Sequence, residues 1–183
     1  MLRFDDMCAQ FFADCVNDGL VDLTPGLRIL EIGCGEFNFL KALREQRPDL
    51  TLVGIDVRDV DDPAAILADV LTYDFPPASF DAVIAISALE HIGLGFYGDP
   101  VNAHGDTLAM DRAAVWVKPG GWAYYDVPYS ETLCLLNADC NYRRYDPVTQ
   151  ARLCPAPWVR TWERAFTPAH RDAPYRAFGA RRA

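Results

Sequence analysis

Residues 28–35 read Arg28-Ile29-Leu30-Glu31-Ile32-Gly33-Cys34-Gly35. The apolar residues before Glu31 are typical of a strand that is covered on both faces of a sheet. Gly33 and Gly35 allow the chain to turn tightly and allow a ligand to approach the main chain closely. Glu31 precedes these glycines, and its charge would repel a pyrophosphate there. The segment therefore predicts a site for a ligand that carries hydroxyl or ammonium groups.

Further apolar segments alternate with helical patterns along the chain. After the strand that ends at Glu31, strands are predicted at residues 50–56, 65–70, 80–87, 122–127, 158–166 and 175–181. Helices are predicted at residues 5–18, 37–46, 107–117 and 146–153, the last one capped by Asp146. Strands that alternate with helices imply an α/β fold with a mostly parallel sheet and right-handed crossovers.

The composition excludes several classes of protein. Of the 183 residues, 51% are hydrophobic, which favours a folded domain, and the net charge of −9 argues against non-specific binding of nucleic acid. No apolar run is long enough to span a bilayer and the N-terminus lacks a basic-then-apolar signal, so we expect a cytoplasmic protein with no membrane contact. The cysteines show neither CxxC pairing nor zinc-ligand spacing, so we expect reduced thiols and no metal site.

The charge is distributed unevenly. Residues 1–141 contain 23 acids and 8 bases, whereas residues 142–183 contain 3 acids and 9 arginines. One explanation is that the basic tail packs against the acidic body of its own chain. The other is that Arg143 or Arg144 holds an anionic group of a substrate.

Polar residues mark the ends of the first four predicted strands: Glu31, Asp56, Asp69 and Ser87. In an open α/β sheet, ligands bind beyond the carboxyl ends of the strands. Asp56 lies about twenty residues beyond the glycines, the usual place for a carboxylate that binds a ribose diol. Asp69 is suited to accept a hydrogen bond from an exocyclic amine. One such acid is most often solvated or caps a helix, but three in this order favour a nucleoside site.

Five short segments are more specific in combination than singly: residues 30–35, 54–57, 68–70, 80–83 and 117–121. Together they resemble the motifs of class I S-adenosylmethionine-dependent methyltransferases, over residues 27–128. Residues 88–100, which include Glu-His-Ile-Gly-Leu-Gly-Phe-Tyr-Gly-Asp-Pro, resemble a narrower subgroup that mostly lacks assigned substrates. The family often has a third glycine where this chain has Phe37, and this difference is expected to reshape the pocket near the methionine tail.

The resemblance implies a three-layer Rossmann-like sandwich with a mostly parallel, seven-stranded sheet. Within one domain of residues 1–183, it implies an N-terminal helical cap at residues 1–24 and a cofactor-binding core at residues 25–128. Residues 129–183 are then expected to form a C-terminal helix and the final strands.

The cofactor implied by this resemblance is S-adenosylmethionine. Gly33, Cys34 and Gly35 would offer main-chain groups to its methionine moiety, and Glu31 would lie near its ammonium group. Ser87 and Leu89 would line the pocket below the sulfonium.

The resemblance also implies an adenosine half of the site. Asp56 would bind the ribose hydroxyls and Val57 would lie beside the adenine. Asp69 would meet the adenine amine, and the amide of Val70 would meet a ring nitrogen.

The candidate for catalysis is His91, which follows the fourth strand and is suited to remove a proton near neutrality. The alternative is that Glu90 and His91 brace the loop that follows. Residues 93–100 contain three glycines, Phe96 and Tyr97, a pattern that fits either a substrate lid or an ordinary surface turn. Tyr97, and with a weaker case His104, are candidate substrate contacts.

The function that these features favour is methyl transfer to an oxygen or nitrogen of a small molecule, such as a sugar or other metabolite. One alternative is a non-catalytic cofactor-binding or partner subunit of the same fold. A dinucleotide oxidoreductase is disfavoured because the last glycine of GxGxxG is missing and Glu31 precedes the turn. The chain has no obvious inserted substrate-binding segment, which fits either a homodimer that completes the site or a degenerate enzyme.

Overall fold

The computed structural model describes residues 1–35, 39–131, 141–168 and 174–183. The strands that it contains are β1 (Arg28–Ile32), β2 (Thr51–Asp56), β3 (Ala65–Leu67), β4 (Phe80–Ala85), β5 (Val117–Pro128), β6 (Trp158–Phe166) and β7 (Tyr175–Arg182). The helices are α1 (Met7–Asn17), α2 (Phe39–Gln46), α3 (Gly105–Trp116) and α4 (Pro147–Ala151).

All seven strands join one sheet in the order β3-β2-β1-β4-β5-β7-β6. The first five strands of this order are parallel, and β7 runs antiparallel to both of its neighbours. The prediction of a mostly parallel, seven-stranded α/β sheet is therefore confirmed. The chain runs outward from β1 to β3 and then crosses back over β1 to β4, which opens a crevice at the carboxyl ends of β1 and β4.

Helices cover both faces of the sheet and create two separate cores. On one face, α1 and α2 contribute Phe12, Phe39 and Leu43, and on the other α3 contributes Met110 and Trp116. The ring of Phe12 meets the rings of Phe39 and Tyr124 edge-on, with centroids 5.3 and 5.0 Å apart. These contacts fix α1 to the sheet, and the three layers match the expected sandwich. The predicted division at residues 24 and 128 stays a prediction.

Two predicted strands end earlier than expected, and both ends concern the site. β3 stops at Leu67 because Asp69 starts a turn, in which its carbonyl accepts hydrogen bonds from the amides of Thr72 and Tyr73. β4 stops at Ala85, and Ser87 then adopts the left-handed region with a φ of 47°. Asp69 and Ser87 therefore lie in the turns beyond their strands.

Other boundaries agree within a few residues. Asp146 caps α4 as predicted, because its carboxylate accepts hydrogen bonds from the amides of Val148 and Thr149. Residues 118–121, which belong to the segment 117–121 singled out in the sequence, interrupt the register between β4 and β5. Phe80 pairs with Val117, but Ala82 pairs with Trp122. The predicted start of α2 at Phe37 lies outside the described residues.

The arginines of the C-terminal part mostly contact their own chain. Arg164 pairs with Asp18 at 2.6 Å and Arg176 with Glu163 at 2.5 Å, and Arg181 donates to the carbonyl of Gly120. These contacts favour the explanation that the basic tail packs against the rest of the chain. Of the cysteines, 134 and 140 lie outside the described residues, and the described ones are free thiols.

Replacing Phe12 with alanine should lower the free energy of unfolding by about 3–5 kcal/mol, because the cavity would remove its contacts with Phe39 and Tyr124. Urea denaturation measures this value. Val159→Ala is the control, since Val159 is 56% exposed, and its effect should stay within about 0.5 kcal/mol. Equal effects of the two substitutions would contradict the packing described for α1.

Candidate functional site

A cleft opens over the carboxyl ends of β1, β2 and β4. Its cavity volume is about 210 Å³, and it is partly open to solvent. Eight of the residues predicted from the sequence line it: Gly33, Asp56, Val57, Asp69, Val70, Ser87, His91 and Tyr97. The fold thus brings together residues from across most of the N-terminal half of the chain.

The glycine turn after β1 packs tightly against its neighbours. Gly33 has a φ of 74°, and a Cβ atom there would lie 2.5 Å from the Cβ atom of Ala88. A Cβ atom on Gly35 would lie 2.6 Å from a carboxylate oxygen of Asp56. A side chain at position 33 would collide with Ala88, and one at position 35 would require the side chains of Asp56 and Arg58 to move. Phe37, the predicted departure from the family pattern, lies outside the described residues.

Glu31 and Cys34 lie beside the cleft rather than on its lining. Glu31 is 4% exposed, and among the described residues its Oε2 atom has no hydrogen-bond partner. Burial and the nearby charge of Asp56 raise the pKa of Glu31 well above its usual range. The Cys34 sulfur packs against Gly54, and burial raises the pKa of its thiol to about 12. Cys34 is therefore a packing residue, whereas Glu31 is a buried acid that still has an acceptor to offer.

Asp56 makes a two-point contact that was not predicted. Its Oδ1 atom accepts from the amide and the Nε of Arg58, at 2.9 and 3.0 Å, and its Oδ2 atom accepts from Nη2 at 3.0 Å. The guanidinium of Arg58 also lies 4.3 Å from the ring centre of Tyr97. Arg58 lines the cleft, and its place only two residues after Asp56 is the signal that could have identified it.

Asp69 and Val70 form the next part of the wall. The Oδ1 atom of Asp69 accepts from the amide of Leu71 at 2.8 Å, which orients the carboxyl group within the turn after β3. Val57 lines the same region from the turn after β2. An acid next to two apolar side chains suits a flat heterocycle with an amine substituent.

A buried polar network supports the turn after β4. The amide of Ser87 donates to Asp126 at 2.9 Å, and its hydroxyl donates to Glu90 at 2.8 Å. Tyr175, from β7, lies 3.1 Å from the Ser87 hydroxyl. The Tyr175 hydroxyl also lies 3.5 Å from the Oε1 atom of Glu90, so it can donate its hydrogen to Ser87 or to Glu90. These contacts hold Ser87 in its left-handed conformation at the edge of the cleft.

Asp126 is the deepest acid of this network. It is fully buried on β5 and also accepts from the hydroxyl of Tyr124 at 3.1 Å. Burial, and to a lesser degree the charge of Glu90, raise the pKa of Asp126 well above its usual range. The sequence analysis missed Asp126, although an acid within the apolar segment of β5 is an unusual feature that could have identified it.

His91 lies between this network and the cleft. Its Nδ1 atom lies 2.5 Å from the main-chain carbonyl of Asn141, which can only accept, so the hydrogen of a neutral ring lies on Nδ1. Its Nε2 atom then carries the lone pair, 4.0 Å from the Oε1 atom of Glu90. The rings of Tyr97 and Tyr142 lie 5.3 and 6.1 Å away. The imidazole is thus oriented with its basic nitrogen near a buried carboxyl group.

The glycine-rich loop of residues 93–100 is braced at its base. The amide of Gly93 donates to Asp99 at 2.6 Å, and its carbonyl accepts from the amide of Asn102 at 2.8 Å. Phe96 is 55% exposed, whereas Tyr97 reaches the cleft. The lid stays a prediction, and Tyr97 is the part of this loop that the geometry connects to the site.

Seven of the predicted site residues are absent from the cleft lining: Glu31, Cys34 and Gly35, which lie beside it, and Leu89, His104, Arg143 and Arg144. Leu89 is fully buried in the core below α3, and Ala88 takes the expected place at the cleft. His104 is exposed, immediately before α3. The guanidinium of Arg143 is buried and donates to the carbonyl of Ile92 at 2.7 Å. Arg144 donates to the Tyr142 hydroxyl. The contacts of Arg143 lie within its own chain, and its role as a substrate ligand stays a prediction.

Two further observations concern the described residues. No group of three or more His, Cys, Asp or Glu side chains is arranged to hold a metal ion in the described part of the chain. No helix in that part is long and apolar enough to cross a membrane.

Comparisons with known proteins place the chain in a family. Residues 7–170 match a family described as methyltransferase domain. The chain belongs to this methyltransferase domain family. Curated relatives in Mycobacterium bovis and Mycobacterium tuberculosis, both called uncharacterized methyltransferases, are 32% identical over 123 residues. That match covers 62% of this chain and 56% of each relative, so the chain spans only about half the length of these relatives.

Solved structures with this fold belong to proteins with different activities. A Burkholderia thailandensis 1,6-didemethyltoxoflavin-N1-methyltransferase, with 1,6-didemethyltoxoflavin and S-adenosylhomocysteine bound, has a TM-score of 0.76 at 15% identity over 98% of this chain and 80% of its own. The [4+2]-cyclase SpnF has a TM-score of 0.69 at 15% identity over 98% of this chain and 86% of its own. At this level of identity the likeness shows the fold alone.

Replacing Gly33 with alanine should destabilise the protein by about 1–3 kcal/mol more than Gly19→Ala does. Both glycines have a φ near 75°, but the space around Gly19 is open whereas a Cβ atom on Gly33 would collide with Ala88. The difference between the two variants in urea denaturation isolates the collision from the backbone strain. No difference would mean that the turn is not packed as described.

The raised pKa of Asp126 has a predictable effect on stability. The folded protein holds the proton of this carboxyl group more tightly than the unfolded chain does, so the wild type loses stability as pH rises above the ordinary aspartate value. Asp126→Asn cannot lose a proton, and its free energy of unfolding should therefore rise relative to the wild type between about pH 5 and pH 8. Asp74→Asn is the control, because the Asp74 side chain is 86% exposed. If the difference in free energy of unfolding between Asp126→Asn and the wild type did not change with pH, the raised pKa of Asp126 would be contradicted.

Proposed function

We propose that this chain binds S-adenosylmethionine and transfers its methyl group to an oxygen or nitrogen of a small molecule. The observation that carries the proposal is the convergence of the Gly33 turn, Asp56 and Asp69 on one cleft in a member of the methyltransferase domain family. The family membership favours this function over that of a dinucleotide oxidoreductase.

The residues of the cleft fit this cofactor in charge and shape. The Oε2 atom of Glu31, which has no hydrogen-bond partner among the described residues, is a buried acceptor near the glycine turn and suits an ammonium group. Asp56 offers two carboxylate oxygens to a diol, and Asp69 offers an acceptor to an adenine amine between Val57 and Val70. Acids on several sides suit a cation better than they would suit a pyrophosphate.

His91 is the residue that we assign to proton removal. The bound cofactor supplies an electrophilic methyl group, and the chain has to position the acceptor and take up its proton. The Nδ1–H of His91 is held by Asn141, which leaves Nε2 as the basic atom. Glu90, at 4.0 Å from Nε2, is placed to stabilise the imidazolium that would form.

The acceptor is proposed to be a small molecule because aromatic side chains surround this end of the cleft. The rings of Tyr97 and Tyr142 lie 5.3 and 6.1 Å from the ring of His91 and offer flat apolar surfaces. Among the structural neighbours, the Burkholderia enzyme acts on a nitrogen of a small molecule, which supports an acceptor of that size for this chain. A homodimer and the narrower subgroup remain predictions.

The experiment has two stages. Isothermal titration calorimetry with S-adenosylhomocysteine and with NAD should show binding of the first ligand only. Incubation with methyl-deuterated S-adenosylmethionine and a metabolite extract should then produce a deuterated methylated compound, which mass spectrometry detects. His91→Ala should lower this transfer about 100-fold or more while leaving S-adenosylhomocysteine affinity unchanged.

His104→Ala is the matched control, because His104 is exposed and lies outside the cleft lining. It should leave both binding and transfer unchanged. Cofactor binding without transfer to any compound would favour the non-catalytic alternative. Binding of NAD in place of S-adenosylhomocysteine would contradict the proposal.

A further inference from the structure

The two-point contact between Arg58 and Asp56 occupies the position that the proposed cofactor needs. We propose that Arg58 fills the ribose subsite of this chain, and that the cofactor binds only when its two ribose hydroxyls replace the guanidinium at Asp56. This inference rests on the proposed function, and it makes Arg58 the residue that sets the affinity and selectivity of the cofactor site.

The hydrogen bonds show a direct competition. Both carboxylate oxygens of Asp56 accept from Arg58, and the Asp56 side chain is only 4% exposed. A planar guanidinium and a cis-diol both present two donors to a carboxylate, so each can satisfy the two oxygens. Arg58 uses three of the roughly four acceptor positions of this carboxylate, so a diol that donates to both oxygens has to displace at least one contact of Arg58.

The available space leads to the same conclusion. A Cβ atom on Gly35 would lie 2.5 Å from the Nη2 atom of Arg58 and 2.6 Å from the Oδ2 atom of Asp56. The guanidinium of Arg58 and the carboxylate of Asp56 therefore both lie against the glycine turn. A ribose that contacts Asp56 from the cleft has to enter the gap beside this turn that the guanidinium fills.

Tyr97 connects this gap to the reactive end of the cleft. Its ring lies 4.3 Å below the guanidinium of Arg58 and 5.3 Å from the ring of His91. The cation–π contact holds Arg58 over the loop of residues 93–100. The guanidinium can keep this contact with the Tyr97 ring after it leaves Asp56. Filling the ribose subsite would then move a charge toward the space where the acceptor binds.

The opposite role would be that Arg58 orients Asp56 for the ribose. The two roles predict opposite signs for a single measurement. If Arg58 competes, its removal raises the fraction of protein that is ready to bind, and affinity increases. If Arg58 orients Asp56, its removal weakens binding.

The experiment is calorimetric titration of the full chain with S-adenosylhomocysteine, which is a zwitterion and thus limits long-range charge effects. Arg58→Ala should lower the dissociation constant about tenfold. Arg58→Lys keeps the charge but cannot make the two-point contact, so it should also bind more tightly than the wild type. Arg47→Ala is the matched control: Arg47 makes the same kind of two-point contact with Asp49, outside the cleft lining, and its loss should not change affinity.

A second measurement on the wild type does not depend on variants that fold. In the NMR spectrum of the free protein, the Nε–H of Arg58 should exchange slowly with water because it donates to Asp56. Saturation with S-adenosylhomocysteine should shift this signal and accelerate its exchange.

The outcomes separate this inference from the proposed function. Tighter binding by Arg58→Ala and Arg58→Lys supports the inference, as does binding by these variants where the wild type shows none. Equal or weaker binding by Arg58→Ala, or an Nε–H signal that the ligand leaves unchanged, overturns it while the proposed function stands. No binding of S-adenosylhomocysteine by any variant overturns both.

Discussion

The close approach of two turns, one after β1 and one after β4, is the constraint on which the site depends. Gly33 and Ala88 touch so closely that a single added carbon would lie 2.5 Å from its neighbour. This contact joins the two turns at the crevice that the strand order opens between β1 and β4. The main chain of the glycine turn, the acid at the end of β2 and the imidazole of His91 consequently face one space.

The turn after β4 is held by buried polar groups rather than by apolar packing alone. Ser87 has an unfavourable backbone conformation, and Asp126, Glu90 and Tyr175 surround it with hydrogen bonds. Burying two carboxyl groups costs stability unless their hydrogen-bonding capacity is used. The arrangement is understandable if the charge near His91 has a chemical role, because an apolar residue of similar size would fill the space at lower cost. The C-terminal strand β7 contributes Tyr175 and is thereby part of the site as well as of the sheet.

The acids of the site were easier to predict from the sequence than its arginines. Glu31, Asp56 and Asp69 were found because strand ends have a recognisable pattern and because parallel strands bring their ends together. The anion ligand was predicted to be Arg143 or Arg144, and this stays a prediction. In the structure Arg143 donates to main-chain carbonyls. A long arginine side chain can reach several neighbouring groups, so its partner depends on contacts that the local sequence does not encode.

The sequence by itself determined the mostly parallel sheet, the glycine turn and the order of the acids, because these depend on local periodicity and on rules of chain connection. Only the tertiary structure decided what each polar group contacts. Asp56 pairs with Arg58. Glu90 contacts Ser87 and Tyr175 and lies 4.0 Å from His91. Leu89 is buried in the core. Tyr175 and Glu90 are 85 residues apart along the chain. Contacts over such a separation arise from the packing of strands and turns in space, which no local pattern specifies.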